Sequence, residues 1–262
     1  MTTFIQHSGI KHYSLDAKDG DIGRVKDVLF DDLHWVVRYL DVNTSKWLVG
    51  RRVLLSPYSV DEIPTGDKKI AVALDKQQIK DAPDIAEHEP VSTRYEYLYH
   101  AHFGYPSYWG GYNIWGANGY PIAINPANPQ PGLENFEEER EKIAQSHLRS
   151  MAELVGYYIE ASDGDFGKLA DFIFDAETWQ IRYVVVDVRR WLPGPSVLIS
   201  PQWIKNVSWS DKLITVDTSK ALIKSAPKYE EPLTRQYEQA LFKHFNREPY
   251  WQSSAKSATA TA

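Results

Sequence analysis

The residues best suited to chemistry in this 262-residue chain come in matched pairs. Trp47 and Trp191 occupy equivalent positions beside cations: Lys46, Arg51 and Arg52 in one place, Arg189 and Arg190 in the other. Tryptophan and arginine dominate the energetics of protein interfaces, so each cluster is a candidate anchor for a partner. The simpler alternative is that each indole caps a folded core while its cations stay hydrated. Asp16, Asp19 and Asp21, with Asp163 and Asp165, form two acidic turns. They lack the twelve-residue loop and terminal Glu of a calcium-binding hand, and Asp-Gly is first of all a turn former. His100 and His102 stand two apart, which on a helix points them about 200° from each other. They read as packing or capping histidines rather than metal ligands. Gly164-Asp-Phe-Gly-Lys168 has the wrong spacing for a phosphate loop, and no other nucleophile-elbow, zinc-helix or dinucleotide motif occurs. No catalytic residues, cofactor or metal site are expected.

These pairs exist because the chain repeats itself. Asp19–Pro57 returns as Asp163–Pro201 at a constant shift of 144, with 18 of 39 positions identical. Two equivalent copies in one chain are expected to pack about a pseudo-two-fold axis, as an internal dimer; a monomer and a homodimer are both compatible with that. Each copy opens with a Gly/Asp turn followed by short runs rich in β-branched and aromatic residues: Val25–Phe30, Trp35–Val42 and Val53–Leu55, then Leu169–Phe174, Trp179–Val188 and Val197–Ile199. The expected fold is mainly β: two tandem small antiparallel barrels, 8–83 and 152–227, closed so as to hide their edges.

An amphipathic helix is expected after each barrel, at 90–103 and 232–246. The apolar stripe runs through Val91, Tyr95, Leu98, Tyr99, His102 and Phe103, and recurs at a shift of 142. Between the copies lies 104–133, rich in Gly, Pro and Asn but carrying Tyr105, Tyr108, Trp109, Tyr112, Trp115 and Tyr120. Flexible linkers lack such apolar surface, so these rings are expected to lie on a barrel or helix, or on a partner. A charged helix is expected over 134–150, and a disordered tail over 252–262.

The ordered motifs Asp-Gly-Asp-x-Gly, Trp-x-x-Arg-Tyr, Trp-Leu-x-Gly and Val-Leu-x-Ser-Pro, present in both copies, resemble the PRC-barrel family, named after the cytoplasmic domain of the photosynthetic reaction-centre H chain. That resemblance implies a small β-barrel that docks on other proteins and is not itself an enzyme. The doubled barrel departs from the reaction-centre architecture. A net charge of −6 argues against general nucleic-acid binding. The absence of cysteine excludes disulfides, thiolate metal sites and cysteine nucleophiles. The sequence shows no leader-like start and no run of roughly 18 apolar residues, so a cytoplasmic protein without membrane insertion is expected. Three functions stay open: a protein-interaction scaffold, a binder of a quinone, pigment or other planar molecule walled by the rings of 105–120, or, behind these, carbohydrate binding by the same rings.

Overall fold

The computed structural model describes residues 2–44, 47–64, 66–85, 91–109, 111–122, 147–188 and 196–252. The chain is mainly β, with two curled sheets built on one plan. In the first repeat β2 (Ser14–Ala17), β3 (Gly20–Asp31), β4 (Val36–Asn43), β5 (Val53–Leu55), β6 (Val60–Glu62) and β7 (Lys69–Val72) take the order β5-β4-β3-β2-β7-β6. In the second, β9 (Tyr158–Ala161), β10 (Gly164–Asp175), β11 (Ile181–Asp187), β12 (Val197–Ile199), β13 (Ile204–Ser208) and β14 (Leu213–Val216) take the order β12-β11-β10-β9-β14-β13. The parallel pairs β2/β7 and β9/β14 correspond, as do the bulged hairpins β2/β3 and β9/β10.

Repetition of sequence becomes repetition of structure through a few demanding positions. Gly23 has φ 129°, and a Cβ there would lie 2.0 Å from the Asn43 carbonyl oxygen; a Cβ at Gly167 would lie 2.5 Å from that of Asp187. Only glycine lets the bent long strand approach its neighbour so closely. The turns after β3 and β10 are set by Asp31 and Asp175, whose Oδ1 atoms accept the Leu33 and Glu177 amides, each at 2.9 Å. These turns hold Trp35 and Trp179 in the left-handed region, φ 55° and 59°.

By compactness the chain divides into one unit of Met1–Glu153 with Phe172–Arg182, and another of Leu154–Asp171 with Tyr183–Ala262. Within the first unit, β1 (Phe4–Gln6) pairs antiparallel with the end of β10, Phe4 opposite Asp175 and Gln6 opposite Ile173. β8 (Leu148–Ser150) pairs with β3, Leu148 opposite Asp31 and Ser150 opposite Leu29. Leu148–Ser150 is therefore a strand, not the end of the charged helix expected over 134–150. It stands at the repeat shift from Phe4–Gln6 and uses the same register, its amides satisfied by a strand that a helix would leave unpaired. Residues 134–146 lie outside the described residues, as does 253–262 of the expected tail.

Short helices α1 (His7–Ile10) and α4 (Met151–Leu154) join strands, whereas α2 (Lys76–Asp81) and α5 (Lys220–Lys224) follow the last strand of each repeat. The longer helices are α3 (Thr93–Phe103) and α6 (Arg235–His244). They begin not at Pro90 or Pro232 but behind Ser92 and Thr234, whose hydroxyls accept the Tyr95 and Tyr237 amides. Gly104 ends α3 in the left-handed conformation, φ 65°.

Candidate functional site

The buried face of α3 keeps Tyr95, Tyr99 and Phe103 of the expected stripe, with Val91 buried ahead of it, but replaces Leu98 and His102 with two polar residues, Glu96 and His100. Tyr95, Glu96, Tyr99, His100 and Phe103 point inward, whereas Leu98 and His102 are half-buried. A carboxylate and an imidazole thus enter the core, at 4% and 3% exposure, and each must find hydrogen-bond partners there. Both find them in β4 and in the segment that follows the helix. The Tyr39 hydroxyl lies 3.3 Å from Glu96 Oε1 and 3.1 Å from His100 Nε2. The Tyr108 hydroxyl donates to the same Glu96 oxygen. His100 Nδ1 stands 2.9 Å from the Pro106 carbonyl, which can only accept, so Nδ1 carries the proton.

A second polar group supports the same segment. Arg38, 1% exposed, donates from Nη2 to Asp31 Oδ2 at 2.9 Å and from Nη1 to the Ile114 carbonyl at 2.5 Å. Its guanidinium lies over the rings of Tyr108 (3.8 Å) and Trp115 (4.8 Å). Trp115 is fully buried, with its indole N–H donated to the Thr178 carbonyl at 2.8 Å and its ring edge-on to Tyr58 at 5.1 Å. Tyr105 stacks on Phe103 at 5.3 Å, and Trp109 meets His100 at 4.9 Å.

These contacts set the protonation of the core. Burial pushes Glu96 up to about 7, against the pull of the Tyr108 and Tyr39 hydroxyls and of Arg38. Burial pushes His100 down to about 4. Asp31 is instead held below its ordinary value: burial would raise it, but Arg38 and His34 outweigh burial. Tyr39 and Tyr108 are driven well above the ordinary phenol value, first by burial and then by the Glu96 charge.

Of the aromatic residues singled out in the sequence, Tyr105, Tyr108, Trp109 and Trp115 are therefore brought together on the first unit. Tyr112 and Tyr120 are not: Tyr112 is fully exposed and Tyr120 is half exposed, at 50%. The loop that carries Tyr112 is nonetheless fixed. Asn113 and Gly116 exchange backbone hydrogen bonds, and a Cβ on Gly111 would lie 2.3 Å from Gly116 Cα.

Of the cations around Trp47, Arg51 and Arg52 have internal partners, and Lys46 lies outside the described residues. Arg51 donates to the Lys80 and Ala82 carbonyls at 2.6 and 2.8 Å and pairs with Asp84 at 2.7 Å, fastening the chain after α2. Arg52 pairs with Asp41 at 2.9 Å. The Trp47 indole N–H donates to the Ile22 carbonyl at 2.9 Å. Arg189, Arg190 and Trp191 lie outside the described residues. Asp19 and Asp163 accept the Lys76 and Lys220 amides at 2.9 and 2.8 Å, which binds each acidic turn to the start of a helix. Among the described residues no group of three or more His, Asp or Glu is placed to hold a metal ion, and no helix is long and apolar enough to cross a membrane.

The Glu96 arrangement has a counterpart that the sequence signals at the 142 shift. In the second unit the Tyr183 and Tyr250 hydroxyls donate to Glu238 Oε1 at 2.8 and 2.9 Å. Glu96/Glu238 and Tyr108-Trp109/Tyr250-Trp251 are identical pairs, so 104–109 belongs to the repeat rather than to a linker. The surroundings differ: His100 is replaced by Phe242, and Thr93 by Arg235, which pairs with Glu238 at 3.0 Å.

Comparison with known families matches residues 15–79 to the PRC-barrel domain. No curated protein matches the chain.

Proposed function

We propose that this chain, whose first repeat is a PRC-barrel domain and whose second sheet repeats its strand order, is a non-catalytic protein-interaction module. The observation that carries this reading is the contrast within 105–120. Trp115 and Arg38 pin the segment to the barrel, and the pinned loop turns one ring, Tyr112, entirely to solvent. A tyrosine held this way contributes contact area with little ordering entropy left to lose, which is how interface tyrosines act. Tyr120 and Ile122, both about half exposed, follow in the same uncharged stretch of sequence.

The test is quantitative affinity capture with the tagged full chain, from soluble and membrane fractions, beside the Tyr112→Ser/Tyr120→Ser double variant and Trp47→Ala. A protein enriched on the unaltered chain and on Trp47→Ala, but lost on the double serine variant, supports the reading and names the partner. A captured set that the serines leave unchanged removes this surface from consideration. The absorption spectrum of the eluate tests the competing idea: a chromophore without a protein partner favours binding of a planar molecule by these rings.

A further inference from the structure

In the first clamp, Glu96 with Tyr39, Tyr108 and His100, the hydrogen bonds linking these side chains admit two arrangements. His100 Nδ1–H is committed to the Pro106 carbonyl, so a neutral imidazole must accept at Nε2, and the donor there is Tyr39. The Tyr39 proton is then spent on His100, and its contact with Glu96 is satisfied only if the carboxylic acid is protonated and donates to the phenol oxygen. In the other arrangement His100 is an imidazolium that donates to Tyr39, which donates to a carboxylate. The two differ by one proton passed along Glu96, Tyr39 and His100. A closed, dry site favours the uncharged form, whereas hydration favours the charged one.

We propose that closure of residues 105–109 over the first barrel passes a proton from His100 to Glu96 through Tyr39, so that closure neither takes up nor releases protons in mildly acidic solution. The proton leaves His100 Nε2 for the Tyr39 oxygen while the Tyr39 proton moves to Glu96 Oε1; net charge is unchanged. Residues 105–109 are the cover because Pro106, Tyr108 and Trp109 supply the contacts to His100 and Glu96 from outside the barrel and helix. Arg38 and Tyr39 on β4 and Asp31 on β3 also act on Glu96, and His100 is faced by Arg38 and by the rings of Tyr58, Tyr99 and Tyr105. Arg38 is engaged by Asp31 and the Ile114 carbonyl. The second clamp is built differently: with Phe242 and an Arg235–Glu238 ion pair it holds a compensated carboxylate and has no imidazole at this position to trade with.

In the closed form Glu96 titrates near 7 instead of its ordinary 4.5, and His100 near 4 instead of 6.5. Closure alone would therefore favour acid through Glu96 and alkali through His100. Linkage gives the size of each: between pH 5 and 7 the closing constant falls roughly 40-fold from Glu96, rises roughly 20-fold from His100, and changes by only about twofold when both act.

Amide hydrogen exchange on the full chain, corrected for intrinsic rates, reads this at the Tyr105 amide, which donates to the His100 carbonyl at 2.9 Å. The Arg247 amide, bonded to the Phe242 carbonyl at 3.0 Å, is the reference in the same molecule. Protection at Tyr105 should be nearly flat from pH 5 to 7 in the unaltered protein, fall by tens of fold in His100→Phe and rise by tens of fold in Glu96→Gln. Equal slopes in all three proteins, or a steep slope in the unaltered one, overturn the proposal. A second measurement needs no stable His100 variant. Infrared difference spectra at pH 6 between the unaltered protein and Glu96→Gln should show the carbonyl band of one protonated carboxylic acid. A carboxylate band in its place contradicts the transfer.

Discussion

Replacing Arg38 with methionine asks how much of the first unit depends on one buried cation. The side chain is 1% exposed, and its partner Asp31 is nearly as buried. The Arg38→Met change would leave Asp31 with the half-exposed His34 as its remaining side-chain partner at 2.8 Å, and the Ile114 carbonyl without its donor. Breaking a buried pair from one side costs about 3–5 kcal/mol. The lost stacking on Tyr108 and Trp115 adds about 1 kcal/mol. Since these contributions overlap, about 4–5 kcal/mol is expected in total. The equivalent change at Arg182, which is 12% exposed and 3.2 Å from Asp175, removes a longer contact made by a more hydrated cation and should cost about 1–3 kcal/mol. Urea unfolding followed by circular dichroism gives the free energies, and amide exchange in α3 assigns the loss to the first unit. Arg38→Met/Asp31→Asn should recover at least half of the single-variant loss, because no unpaired charge then remains buried. If Arg38→Met costs no more than Arg182→Met, or if the double variant is no more stable than the single, the buried Arg38–Asp31 pair does not hold the segment as described.

Other consequences are as direct. Gly23→Ala should cost about 3 kcal/mol or more, measured by urea unfolding, since its φ of 129° excludes a side chain and its Cβ would overlap the Asn43 carbonyl. Tyr112→Ser/Tyr120→Ser should shift stability by no more than about 0.5 kcal/mol, because both rings already face water. Asp31 is depressed in the folded protein, so its contribution is full above its ordinary value of 3.8 and is lost as pH falls through the lower folded value. Acid titration of stability should show that loss in the unaltered protein and a shallower one in Asp31→Asn.

The barrel framework is legible in the sequence because its constraints act at single residues and the duplication prints them twice. Gly23/Gly167, Asp31/Asp175 and Trp35/Trp179 each meet a local backbone demand that recurs at the shift of 144. The clamp escapes such a reading because an apolar stripe ranks Glu96 and His100 as outward-facing, whereas their burial depends on Tyr39, Tyr108 and Pro106, outside the helix. The available signal is Glu96/Glu238, the one charged residue identical in both helices besides the titratable His102/His244 pair, together with the Tyr-Trp dipeptide that follows each. The strand at Leu148–Ser150 is hidden for a different reason. Three residues carry no periodicity, and only the pairing register with β3 equates them to Phe4–Gln6. Arg51 reads as a free cation because carbonyl acceptors such as those of Lys80 and Ala82 leave no trace in composition, and Arg52 because nothing in the sequence announces its pairing with Asp41 on the neighbouring strand.

The most direct test of the pinned segment with an outward ring is selective chemical modification of tyrosine in the native full chain, mapped by mass spectrometry. Tyr112 and Tyr120 should react at rates near those of free tyrosine, while Tyr58, Tyr99, Tyr105 and Tyr108 resist until the protein unfolds. Modification of Tyr105 and Tyr108 as fast as Tyr112 would show that the segment does not lie on the barrel, and both the clamp and the presented surface would fall with it.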